Sequence, residues 1–152
     1  MSADYGQLVR YAEGLRRAQA GMTEFKRQVI VGEGAYAVKQ AKKICKDEQI
    51  IDTGNYRNSF HSDPAPVVTL DGARITVYNN ADYASYLEFG HLIVRRGGGA
   101  LTLRRREAVR GGKFVRGKYV LRRAIQRTLD TQNERVGRKL ERYIREHTEG
   151  RR

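Results

Sequence analysis

Asp52-Thr53-Gly54-Asn55-Tyr56-Arg57-Asn58-Ser59-Phe60 and, about twenty residues on, Val77-Tyr78-Asn79-Asn80-Ala81-Asp82-Tyr83-Ala84-Ser85-Tyr86-Leu87-Glu88-Phe89-Gly90-His91 are the stretches whose reading decides the fold. Taken alone, Ile50-Ile51-Asp52-Thr53-Gly54 matches the active-site loop of an aspartic protease. That chemistry needs two carboxylates sharing one proton, so a chain with a single Asp-Thr-Gly would have to act as a symmetric dimer. Asn55 stands where such enzymes carry a small residue, and long helical patterns occupy about half of a chain that would have to be almost wholly β. The alternative is structural: Asp52 or Thr53 caps a short helical turn carrying Tyr56 and Arg57, with Gly54 in its first turn.

Around these stretches the chain alternates in kind. Upstream, Leu8, Tyr11, Leu15, Ala18, Met22, Phe25 and Val29 recur at spacings of three and four and predict one amphipathic helix. Such a stripe suits a coiled coil or a helix laid across a sheet. Gly32 and Gly34 are expected to bend or interrupt it, since glycine costs about 1 kcal/mol against alanine inside a helix. A further helical stretch from Ala35 to Lys46 puts Val38, Ala41 and Cys45 on one face, with Cys45 as a small packing residue.

Between the two motif blocks, Val67 to Leu70 and Arg74 to Tyr78 read as strands joined at Asp71-Gly72, a tight-turn pair. Ser59 to Ser62 suits a third strand. Asn80 reads as a helix N-cap, and Gly90 as the residue that ends the short helix after it. Tyr83, Tyr86 and Phe89 on that helix are expected in the core, and Arg57 and Glu88 suit an ion pair.

Residues 91–117 form a Gly/Arg-rich loop of 27 residues, too long for an ordinary connector. Leu92-Ile93-Val94 is placed to pair with Lys113-Phe114-Val115 within it. A closing helix is predicted from Lys118 to His147, its stripe formed by Leu121, Ile125, Thr128 or Leu129, Val136, Leu140 and Ile144. The fold class expected is α+β: long N- and C-terminal helices packed on a small antiparallel sheet, with a long basic loop, as a single domain over 1–152.

Charge divides the chain more sharply than hydropathy does. The formal net charge is +13, yet residues 1–90 hold 11 Lys/Arg against 11 Asp/Glu. Residues 91–152 hold 19 against 6, so the whole excess lies after the second block and calls for an acidic partner or a solvated basic face. The single cysteine, Cys45, rules out an internal disulfide and a multi-cysteine metal knuckle. His61, His91 and His147 lie far apart with no matching carboxylate spacing, so no metal and no cofactor are expected. No run of eighteen apolar residues offers a membrane span, and no secretory signal is expected at the N-terminus.

The two blocks together, Asp52, Thr53, Gly54, Arg57 and Ser59, then Val77, Asn79, Tyr83, Ala84, Tyr86, Leu87, Glu88, Phe89 and Gly90, resemble the head–tail connector (neck or tail-completion) proteins of long-tailed bacteriophages. The long helix before them and Tyr119 to Ile125 after them extend the likeness over nearly the whole chain. Departures are Ile51 where a proline is common, Tyr56 where an aliphatic residue is usual, and the Gly/Arg-rich loop in place of a shorter aromatic-proline stretch. The resemblance implies a non-enzymatic virion protein, assembled in the host cytoplasm into a ring of six or twelve subunits at the neck. Its implied neighbours are head-closure or adaptor proteins, tail-terminator or tail-tube proteins, and the double-stranded DNA in the lumen. Arg95, Arg96, Arg104, Arg105, Arg106, Arg110, Lys113 and Arg116 are then the candidates for contacting DNA or an acidic ring, because the guanidinium fork matches phosphate and carboxylate. A sequence-nonspecific nucleic-acid-binding protein is the alternative that the same charge supports.

Overall fold

A computed structural model describes residues 5–50, 54–93 and 113–149. Its backbone is set by two long helical passes that run antiparallel. The first consists of α1 (Tyr5–Ala20) and α2 (Met22–Asp47). The predicted break at Gly32 and Gly34 does not occur, and the interruption falls at Gly21 instead. There the Tyr143 hydroxyl donates to the Ala18 carbonyl at 2.8 Å and fills the space that a Gly21 side chain would need. A side chain inserted into the backbone ladder is a common cause of such interruptions. Gly34 has a different use: a Cβ there would lie 2.8 Å from Ile75 Cδ1, so the missing side chain lets the strands approach α2.

The second pass is α5 (Val120–Asp130) and α6 (Gln132–Thr148), two helices where one was expected. The break at Thr131 is held by Arg135, whose guanidinium donates to the Thr128 carbonyl at 2.9 Å and to Thr131 Oγ1. The last turn of α5 thus finds a donor for a carbonyl that the broken ladder would leave open. The same guanidinium forms an ion pair with Glu33 and lies 3.8 Å from the centre of the Tyr36 ring. Lys139 also reaches Glu33 Oε1, at 3.4 Å. Burial works to raise the Glu33 pKa, but the Arg135 and Lys139 contacts more than offset it and hold the carboxyl below its ordinary value.

Between the passes lie α3 (Asn55–Asn58), α4 (Ala84–Phe89) and three two-stranded antiparallel ribbons. β1 (Phe60–Ser62), the third strand of the sequence reading, pairs with β4 (Val77–Asn79), placing Phe60 opposite Asn79. β2 (Val67–Val68) pairs with β3 (Ala73–Arg74) around the turn that carries Leu70 and Asp71-Gly72. The predicted strand Arg74 to Tyr78 is therefore split, each half taking a different partner. β5 (Gly90–Ile93) pairs with β6 (Lys113–Arg116), matching Leu92 to Phe114 as the sequence suggested; Val94 lies outside the described residues.

The core sits where α2, α3, α4 and the start of α5 meet. Ala41, Ile44, Cys45, Tyr56, Phe60, Ala81, Val120 and Ala124 form it, with Phe60, Ile44 and Val120 essentially inaccessible. The small residues of α2 and α5 let these helices approach closely, and Phe60 fills the remaining volume. The buried line of α5 is Val120, Ala124 and Thr128: of the predicted stripe Thr128 is buried and Leu121 packs against the core, while Ile125 and Leu129 are left exposed. On α1 the buried residues are Gly14 and Ala18, against the end of α6, while Leu8, Tyr11 and Leu15 of the predicted stripe stay open to solvent.

Candidate functional site

The two motif blocks meet around one carboxylate. Glu88, on the inner face of α4, is buried at 8 % exposure. Its Oε1 accepts a hydrogen bond from Tyr56 Oη at 2.9 Å and another from the backbone N–H of Leu121 at 2.6 Å. The second contact solves a problem local to α5. That helix starts at Tyr119 with φ +50° and no capping side chain of its own, so its first-turn N–H groups need an outside acceptor. A carboxylate at a helix N-terminus is also favoured by the helix dipole. Glu88 therefore joins α3, α4 and α5 through one group.

Asn79 ties the same centre to the strands. Its Nδ2 donates to the Tyr56 carbonyl at 2.8 Å, and its Oδ1 accepts from the Ala81 N–H at 2.9 Å. The side chain that organises the turn into α4 is thus Asn79 rather than Asn80, and the helix itself starts at Ala84. Tyr56 packs edge-on against Phe60, with ring centres 5.0 Å apart, and at a tilt against Tyr83 at 6.3 Å. Burial and then the Glu88 hydrogen bond push the Tyr56 phenol far above its ordinary pKa. It remains a neutral donor at any physiological pH. The departure from an aliphatic residue at this position supplies the hydroxyl that the buried carboxylate uses.

Gly90 ends α4 as expected, and the reason is steric. Its φ is +84°, and a Cβ would fall 2.3 Å from the Val115 carbonyl oxygen. Gly117 returns the contact, since a Cβ there would fall 2.1 Å from the Glu88 carbonyl oxygen. The chain leaving β6 is then fastened by Lys118 N–H to Leu87 O at 2.6 Å.

Several sequence expectations change here. Glu88 takes Tyr56 and the start of α5 as partners in place of the expected Arg57. Tyr83 is half-buried against the core, but Tyr86 and Phe89 are 56 % and 70 % exposed, not core residues. Gly54 is the N-terminal boundary of α3 with φ +77°, while Asp52 and Thr53 lie outside the described residues. So do Arg95, Arg96, Arg104, Arg105, Arg106 and Arg110; Lys113 is placed by its backbone in β6, and Arg116 is exposed on the same strand. Exposed Arg122, Arg127, Arg138, Arg142 and Arg145 on α5 and α6 add to the basic half of the chain.

Sequence reasoning missed Tyr56 and the Leu121 N–H as partners of Glu88. The signal was present: a helix beginning at Tyr119-Val120 without Ser, Thr, Asp or Asn must borrow an acceptor. Cys45 is fully buried, and burial followed by the nearby Glu88 charge raises its thiol pKa to about 11, which disfavours the reactive thiolate. Among the described residues no three His, Cys, Asp or Glu side chains converge as metal ligands, and no helix is long and apolar enough to cross a membrane.

No curated protein and no solved structure matches the chain. A family model described as "Bacteriophage HK97-gp10, putative tail-component" matches residues 11–90. That span ends at Gly90 and contains both motif blocks, with Glu88, Asn79 and Tyr56 inside it. Since it covers just over half of the chain, the protein belongs to the HK97-gp10-like family of bacteriophage tail components.

Proposed function

We propose that this tail component is a structural subunit of a ring at the head–tail junction of the particle, completing the neck and leaving a channel for DNA. The observation that carries the reading is the Glu88 centre inside the family-matched span. It spends the motif residues on rigidity, holding three helices with one buried carboxylate and tying a strand to them through Asn79. A wedge that must sit between two other rings needs that stiffness, because an interface is only as well placed as its supporting shell. In this reading the chain acts as one connector domain, catalyses nothing, and exists as six or twelve copies. Its neighbours are a head-closure or adaptor ring on one side and a tail-terminator or tail-tube ring on the other.

The basic half faces the acidic components of that site. Arg95 to Arg116 and the arginines of α5 and α6 supply charge for phosphate or carboxylate without base reading, as a conduit for any sequence requires. Deleting the gene is expected to leave filled heads and free tails that do not join, and added protein should restore joining. Complete, infectious particles lacking the protein would overturn the assignment.

The concentration of the whole net charge of +13 after residue 90 favours one other reading, a sequence-nonspecific nucleic-acid-binding protein. That protein would bind short duplexes tightly, with affinity falling steeply as salt rises. A neck subunit binds free duplexes weakly and joins rings instead.

A further inference from the structure

Among the described residues, two apolar surfaces lack an intramolecular partner, and they differ in shape. The first is convex. Every residue from Tyr5 to Glu13 is exposed, and Tyr5, Leu8, Tyr11 and Leu15 form the apolar side of α1. α6 packs on the neighbouring flank, at Gly14, Arg17 and Ala18. An isolated helix of this length is marginal in water, and most helical stability comes from packing an apolar face. The first half of α1 therefore wants cover.

The second surface is concave. A groove of about 600 Å³ lies between β4, α4 and α5, bounded by Tyr78, Phe89, Tyr119 and Ile125. Through Val77 and Ile125 it continues into a recess of about 170 Å³ lined by Ile30, Ile75 and Leu129. Together they follow α5 from Tyr119 to Leu129, roughly 15 Å at the helical rise, against roughly 15 Å for the stripe from Tyr5 to Leu15. The lengths fit one helix laid in one trough.

The stripe cannot reach its own groove. α6 meets α2 at Glu33, then Phe25, and then α1 at Ala18 and Gly14, in that order along its length. Hence α1 prolongs α2 rather than folding back over it. We infer that the α1 stripe of one copy docks in the α5 groove of the next copy. Such a contact joins different surfaces on the two partners, and repeated head to tail it forms a ring when the rotation between copies closes on itself. The inference rests on the ring reading and names the surfaces that would make it.

The test uses two variants of the full chain, a stripe variant Leu8→Arg/Tyr11→Glu and a groove variant Phe89→Glu/Leu129→Arg. All four positions are exposed, so circular dichroism should show wild-type helix content in both. In sedimentation, wild type should form a closed multimer and each variant alone a monomer, with self-association weakened at least 100-fold. A 1:1 mixture of the variants should give a dimer and nothing larger, since each pair holds one intact contact. A mixture that stays monomeric, variants that keep the wild-type mass, or a monomeric wild type would each overturn the inference. Imaging of the particle neck separates the two ideas. A six- or twelvefold ring built normally by the stripe variant removes only the docking contact, whereas a neck without such a ring removes the ring reading itself.

Discussion

The wedge around Glu88 and the arm made by α1 and α6 are built on opposite terms. In the wedge, Phe60, Ile44 and Val120 are almost inaccessible, and buried Tyr56 and Glu88 and half-buried Asn79 answer one another. In the arm, α6 has no fully buried residue, and α1 buries only Gly14 and Ala18. One region satisfies its own centre and leaves apolar side chains such as Phe89 open only on its surface; the other leaves most of its large apolar side chains for something else. The lesson is that a helical pattern read from sequence marks a face that needs burial without saying who buries it.

Four measurements would break or sharpen that contrast. The largest effect should come from Phe60→Ala, which empties the centre of the wedge and should cost about 3–5 kcal/mol in urea unfolding. A loss under 1 kcal/mol would mean that the wedge is not the stable part. Next, Tyr56→Phe leaves Glu88 with the Leu121 N–H as its remaining partner of the pair, and should cost about 1–3 kcal/mol in the same assay. If it were neutral, the hydroxyl would not matter to the buried carboxylate.

The third concerns Glu33, where the two passes are joined. Its pKa is lowered in the folded state, so below its ordinary 4.5 the unfolded chain binds the proton first. Its contribution is therefore complete above that pH and is lost as pH falls through the lowered folded value. Glu33→Gln should remove that part of the acid sensitivity, seen as a flatter melting temperature against pH on the acid side. An unchanged slope would deny the Arg135–Glu33–Lys139 group this role. The smallest effect belongs to Leu8→Arg, which should change the stability of the isolated chain by no more than about 0.5 kcal/mol. A cost of 2 kcal/mol or more would show that the arm already buries Leu8.

Much of the wedge was legible in the residues. Asp71-Gly72 marked a ribbon turn, Gly90 marked a helix end, and Leu92 and Phe114 pointed to the pairing of β5 and β6. These features depend on local backbone preference, which a few residues express. The helix breaks were not legible, because their causes come from far along the chain. Gly32 and Gly34 looked like weak points, yet α2 runs through both. Gly21 and Thr131 broke instead, under Tyr143 and Arg135. The candidate site divided in the same way. The motif residues could be named from their spacing, but the partners of Glu88 lay 32 and 33 residues away.

By itself the sequence determined the helix and strand types, the place of the motif, and the crowding of positive charge after residue 90. All three follow from short-range spacing or from simple composition. Only the tertiary structure decided which face of each helix is covered, which donors a buried carboxylate serves, and which apolar surfaces remain open. Those outcomes depend on which elements meet, and a periodic stripe looks the same whether its partner is another part of this chain or another molecule.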